Sequence, residues 1–273
     1  SVTGVQTVLF RSLVAIGDAF DAQRMIPITR AHAASSGQEG DLYFVELLAN
    51  GGAKCRVPTS TNPVYDIEFF HRLFEVPNDQ AEVARRVMDA YKRVGAILSW
   101  SCVPYLTENI PLYGETVAFS ESSATPYVNS VIGATTNREA AQSALAAGVV
   151  GKTPQYGLHL KENRKGTVLV EVEAVLRDSF DYTLLGQFVG KQVGVGIPVL
   201  TGINKRPSTE ELINFCAMSN TSGAVSMFYM PGLTVEAQTV AEAFQGDVPN
   251  DSIVVRASGS EEPKSELQSH LNG

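Results

Sequence analysis

Apolar positions change period several times along the chain, and each change marks an element. From Val5 to Phe20 the spacing of Val5, Val8, Leu9, Leu13, Ile16 and Phe20 is helical and predicts an amphipathic helix. Met25 to Thr29 predicts a short strand, followed by a small-residue loop, Ala31-His32-Ala33-Ala34-Ser35-Ser36-Gly37. Leu42 to Ala49 predicts a helix closed by the turn signal Asn50-Gly51-Gly52. Lys54 to Val57 predicts a strand feeding Pro58-Thr59-Ser60-Thr61-Asn62-Pro63, which sets hydroxyls and an amide at a strand's carboxyl end, where open α/β sheets bind ligands. An ordinary Ser/Thr turn before a helix has the same composition. Asn78 or Asp79 is positioned to cap a long helix through Arg93 with Gly95 at its end, and Ala96 to Ser101 predicts the next strand.

Asn137 is a good N-cap for a small-residue helix from Arg138 to Val149, which puts Glu139 at the positive end of the dipole, a place for an anion. Thr167 to Leu176 alternates as a strand, Asp181 to Val193 reads as a helix stopped by Gly194, and Gly196 to Leu200 begins another strand. Ser208 and Glu211 form a capping box for a helix reaching Met218. Ala224 to Met230 predicts a strand and Thr234 to Phe244 a last helix. This alternation predicts a layered α/β architecture, mainly parallel sheets flanked by helices. Two lobes are expected, 1–130 and 131–257, with 258–273 as a mobile tail or linker.

The stretch Ser101 to Glu139 breaks the pattern. Prolines 104, 111 and 126 and glycines 114 and 133 prevent a continuous helix, so it reads mostly as loop. It holds the thiol of Cys102, the carboxylates of Glu121 and Glu139, and many hydroxyls and amides with few lysines, a composition that lines sites.

Composition narrows the function classes. Hydrophobic residues make up 44% and charged residues 18%, as in an ordinary globular protein large enough for a sizeable core. A net charge of −8 argues against a nucleic-acid footprint or an anionic-membrane patch. No run of about 18 apolar residues predicts a transmembrane helix, and the first twenty residues lack the long apolar core of a signal peptide. Cys55, Cys102 and Cys216 are odd in number and widely spaced, so no disulfide framework is expected and a reducing cytoplasm is the simplest home. Ser1 in place of Met suggests a start inside a longer product. The Gly151-Lys152-Thr153 triplet is not a phosphate loop, because residue 146 is alanine, and Gly190, Gly194 and Gly196 lack dinucleotide-binding spacing.

An ordered series of motifs carries a resemblance. Cys102-Val-Pro104-Tyr105, Gly114-Glu115, Ser120-Glu121-Ser122-Ser123-Ala124, Tyr127-Val-Asn129-Ser130-Val131 and Gly133 through Glu139 are similar to the aconitase X family. The likeness continues through Ser143 to Ala147, Gly151 to Pro154, Tyr156 to Leu160 and Glu162-Asn163-Arg164, and upstream at Pro58 to Asn62.

The resemblance implies an aconitase-like catalytic domain portion and a hydro-lyase, or dehydratase, acting on a small hydroxy acid such as cis-3-hydroxy-L-proline or phosphomevalonate. It implies an iron centre, either iron–sulfur cluster or mononuclear, with Cys102 as metal ligand; by spacing alone a buried inert thiol fits the same position. It further implies catalytic roles for Glu121, Ser122, Ser123 and Glu139, and substrate-binding roles for Thr59, Thr61, Asn62, Asn129, Asn137 and Arg138. His32 lies where the family carries a similar His-containing segment, and a histidine there serves either a ligand or the core.

The pattern departs at Thr135, where arginine is common, and at Ala140, where glycine is usual. Further cysteine-bearing segments and a smaller swivelling domain are not recognisable after Phe244, so a fused domain or small partner subunit is expected to complete the site. An incomplete anion-binding α/β module is the alternative.

Overall fold

The structure, a computed structural model, describes residues 4–34, 39–62 and 66–256. They fall into two compact units. One comprises the chain up to Glu121 together with Ala134–Leu160, and the other comprises Ser122–Gly133 with the chain from Lys161 onward.

In the first unit α1 (Gly4–Ala19) leads to β1 (Met25–Pro27), which pairs antiparallel with β6 (Lys152–Pro154). The central sheet is parallel, with β2 (Arg30–Ala34) and β3 (Thr59–Asn62) inside and β4 (Ile97–Leu98) and β5 (Val117–Phe119) at its edges, in the order β4-β3-β2-β5. Helices α2 (Glu39–Asn50), α3 (Ile67–Leu73), α4 (Asn78–Val94) and α6 (Ala141–Val150) complete it. Leu9, Leu13, Val45, Leu48, Val87, Tyr91, Leu145 and Val149 are core residues between these layers.

The small residues of β2 and β3 have a packing cause. Helix α6 lies so close that a Cβ on Gly148 would come within 2.4 Å of Thr59 Oγ1 and 3.3 Å of Ala31 Cβ. Only small side chains fit beneath such a helix. The loop expected at 31–37 is a strand through Ala34, and β3 begins at Thr59 instead of occupying Lys54 to Val57. Strand pairing on both sides of β2 overrides the weak local propensity of Arg-Ala-His-Ala-Ala.

In the second unit β7 (Val168–Val172) lies between β8 (Pro198–Thr201) and β9 (Ser252–Val255), all parallel. Helix α7 (Ser179–Val193), capped by Asp178, packs on α8 (Thr209–Gly223), whose predicted Ser208–Glu211 capping box is formed. The two helices touch at glycines: a Cβ on Gly223 would sit 1.6 Å from the Gly190 carbonyl oxygen. Helix α5 (Ala124–Tyr127) runs into a π-helical turn over Val128–Ile132.

Several expectations are corrected. Residues 101–139 hold β5, α5 and the π turn, and Ser123 to Ser130 are buried, because Pro126 falls in the first turn of α5, where its missing N–H costs nothing. Helix α4 starts after Pro77, so Asn78 and Asp79 lie within it. Helix α6 starts after Ala140, so Asn137 is no cap and Glu139 precedes the helix. Residues 224–230 form one bridge, Tyr229 to Val199, and the last helix shrinks to α9 (Val240–Ala243). The expected boundary after residue 130 gives way to an exchange of segments. Residues 134–160 carry α6 onto the first sheet, whereas α5 packs on α8. The expected tail at 258–273 lies outside the described residues.

Candidate active site

Side chains alternate along a strand, so β2 and β3 divide their residues between two faces. Thr59 and Thr61 share the α6 face with Ala31 and Ala33; Thr59 Oγ1 donates to Val57 O at 2.9 Å and Thr61 Oγ1 to Ala33 O at 2.8 Å. His32, Ser60 and Asn62 share the opposite face. There the chemistry collects.

On that face Asn62 Nδ2 lies 3.1 Å from Cys102 Sγ and 3.2 Å from Glu121 Oε1, donating to both. His32 is fully buried, its Nε2 3.6 Å from Glu121 Oε1 and its Nδ1 2.9 Å from Ser60 Oγ. Asn109 is also fully buried, and its Nδ2 donates to Ala31 O at 2.7 Å and to Ser60 Oγ at 2.9 Å. The chain enters and leaves this cluster through left-handed residues, Trp100 at φ +45° and Glu121 at φ +90°. Neither is glycine, and such backbone costs about 1–3 kcal/mol, a strain that collects at functional sites.

Electrostatics follow from the same contacts. Burial works against the charge of Glu121, but the facing His32 ring, the Asn62 amide and the Cys102 thiol together hold its carboxyl below the usual value. Burial first, and then the Glu121 charge, push the Cys102 thiol up, with the Asn62 amide pulling the other way. The cluster therefore holds a charged carboxylate beside a protonated thiol at neutral pH.

Glu139 lies elsewhere in the first unit. Burial pushes its carboxyl up, opposed by the hydrogen bond from Ser143, and its charge joins burial in raising Tyr156 to about 12. Asn137 clamps a turn, accepting from Leu158 N at 2.9 Å and donating to Tyr156 O at 3.1 Å. Arg138 is exposed and forms no ion pair with another described residue. In the second unit Ser122 is exposed and Ser123 buried at the start of α5. Asn129 is bound by the buried Arg164 at Oδ1 and donates to Thr125 O and Ser226 O.

Ser60 and Asn109 were not among the residues expected to act. Strand alternation would have placed Ser60 beside His32. Asn109 meets Ala31 across 78 positions and has no local signature.

The profile of the Aconitase X first domain matches residues 3–162, and that of the Aconitase X second domain matches residues 166–262. The chain belongs to the aconitase X family. Among aconitase X relatives, the phosphomevalonate dehydratase large subunit of Thermococcus kodakarensis is 39% identical over 230 residues, covering 82% of this chain and 56% of its own. The cis-3-hydroxy-L-proline dehydratase of Hypocrea jecorina is 36% identical over 229 residues, covering 81% of this chain and 38% of its own. The crystal structure of Thermococcus kodakaraensis aconitase X in its holo form superposes with a TM-score of 0.82 at 32% identity, over 98% of this chain and 64% of that one. The chain thus spans little more than half the length of the large subunit.

Aconitase-like proteins generally imply an iron–sulfur cluster, which takes several thiolates. The described thiols do not supply them. Cys102 is the one described thiol at the cluster, Cys55 is largely buried beside Thr59, and Cys216 is wholly enclosed in the second unit. No group of three or more His, Cys, Asp or Glu among the described residues is arranged to hold a metal ion.

Proposed function

We propose that this chain is the large catalytic portion of a dehydratase that removes water from a small hydroxy acid of the cis-3-hydroxy-L-proline or phosphomevalonate type. The observation that carries this is Glu121, charged, strained at φ +90° and held by Asn62 beside His32 and Cys102 on one sheet face. The names of the relatives support the reaction class.

Glu121 takes the proton beside the substrate carboxylate while the C–O bond breaks, and the departing hydroxide picks up a proton from solvent to leave as water, giving an unsaturated acid. The lowered carboxyl keeps Glu121 unprotonated at neutral pH, at some loss of strength as a base. Asn62 holds Glu121 and Cys102 in one geometry. Arg138, exposed and without an ion-pair partner among the described residues, is a seat for the substrate carboxylate. Glu139, Thr59, Thr61, Asn129 and Asn137 have their polar atoms engaged by protein groups and serve the scaffold. Iron in this reading needs ligands beyond the described residues, Cys102 being the one described thiol at this cluster.

The name "large subunit" implies a smaller partner for those relatives, and a small swivelling domain or subunit would complete this chain too. The cytoplasm is its compartment in this reading; among the described residues no helix is long and apolar enough to cross a membrane. The separated cysteines favour a second reading, an incomplete anion-binding module inert without that partner.

The test follows loss of the substrate hydroxyl by NMR, with cis-3-hydroxy-L-proline and phosphomevalonate, each with and without the smaller partner. Dehydration that falls about 100-fold or more in Glu121→Gln supports the proposal. No turnover of either acid in any combination retires it in favour of the binding module.

A further inference from the structure

We infer that His32 is a positioning residue for Glu121, locked into one tautomer by a relay that starts at a backbone carbonyl. The Ala31 oxygen fixes the Asn109 side chain, because a flipped amide would turn Oδ1 onto that carbonyl. Both protons of Asn109 Nδ2 are then spent, one on Ala31 O and one on Ser60 Oγ. Ser60 is fully buried, and the acceptor its own proton can reach among the described residues is His32 Nδ1, 2.9 Å away. A neutral imidazole carries one donor and one acceptor nitrogen. With Nδ1 receiving, the proton sits on Nε2.

That N–H faces Glu121 Oε1 at 3.6 Å, just beyond hydrogen-bond length, and donates to no described group. Asn62 Nδ2 approaches the same oxygen at 3.2 Å. Asn62 donates to Oε1, and the His32 N–H faces the same oxygen as an electrostatic partner beyond hydrogen-bond length, so the two orient a carboxylate whose backbone is held at φ +90°. The reverse tautomer would leave the Ser60 proton buried without an acceptor and turn a nitrogen lone pair toward a carboxylate, a cost of about 1–3 kcal/mol for the unpaired group alone. His32 itself has no exposed surface, so it acts through Glu121 and does not touch substrate.

The catalytic consequence rests on the proposed dehydratase reading; the lock does not. Nitrogen-15 NMR of the labelled chain at neutral pH separates pyridine-type from pyrrole-type imidazole nitrogens, and His32 is assigned by the signals lost in His32→Gln. The expected wild-type pattern is pyridine-type Nδ1 with pyrrole-type Nε2. In Asn109→Asp the Ser60 hydroxyl turns to the new carboxylate, and His32 Nδ1 becomes protonated. A protonated Nδ1 in the wild type overturns the inference, whether or not the variant folds.

Turnover supplies the second arm. His32→Gln keeps an N–H near the place of Nε2 and should hold kcat within a few-fold, whereas His32→Ala should lose about 10- to 100-fold in kcat with KM unchanged. Equal losses in both variants would overturn the positioning role. A locked tautomer in a protein that dehydrates neither acid would retire the activity and leave the lock standing.

Discussion

Glu139 shows how a single carboxylate records its surroundings in stability. Burial raises its carboxyl, so the native state binds that proton more tightly than the unfolded chain does. Stability from this group is then full at pH below the unfolded carboxylate value of about 4.3 and falls as pH rises through the native one. Glu139→Gln should melt higher than wild type at neutral pH, and the two curves should converge on acidification; parallel melting curves from pH 4 to 8 check it. A constant difference would mean that the charge costs nothing. At this scale the sequence was only partly legible. Cys102, Glu121 and Asn62 were singled out and do meet, but Thr59 and Thr61 point to the α6 face, which the turn reading of 58–63 could not show. Asn109 was invisible because its partners are set by strand register.

Elements with strong local chemistry were legible, and those made by neighbours were not. The Ser208–Glu211 box appears as read, and Ser208→Ala should cost about 1 kcal/mol in urea unfolding. Strands β2 and β3, built of Ala, His, Thr, Ser and Asn, carry no apolar alternation and exist because each is paired on both sides. The α7–α8 contact is equally silent in the sequence. A Cβ on Gly190 would lie 2.6 Å from the Ser219 carbonyl and 3.0 Å from Ser222 Cβ, with backbone in the way. Gly190→Ala should therefore destabilise by about 1–3 kcal/mol or more, despite the better helix propensity of alanine. A variant as stable as wild type would show that the two helices can part without penalty.

For the molecule as a whole, the alternation of strand and helix conveyed the layered α/β plan, but the exchange of 122–133 and 134–160 between units needed three dimensions. The separated thiols give a prediction at this scale. Anaerobic reconstitution of this chain with iron and sulfide should yield no cluster absorbance, since Cys55 and Cys216 are sequestered away from Cys102. Absorbance that appears in wild type and vanishes in Cys102→Ala would overturn it. The left-handed backbone of Glu121 also bears on how such a protein would change under selection. Glycine at 121 would release the backbone strain but forfeit the stability that the lowered carboxylate contributes at neutral pH. A library screened for heat resistance at acidic pH, where that contribution is lost, should therefore enrich Glu121→Gly, and the survivors should be inactive. A glutamate kept at that position would then be the mark of a lineage still paid for its chemistry.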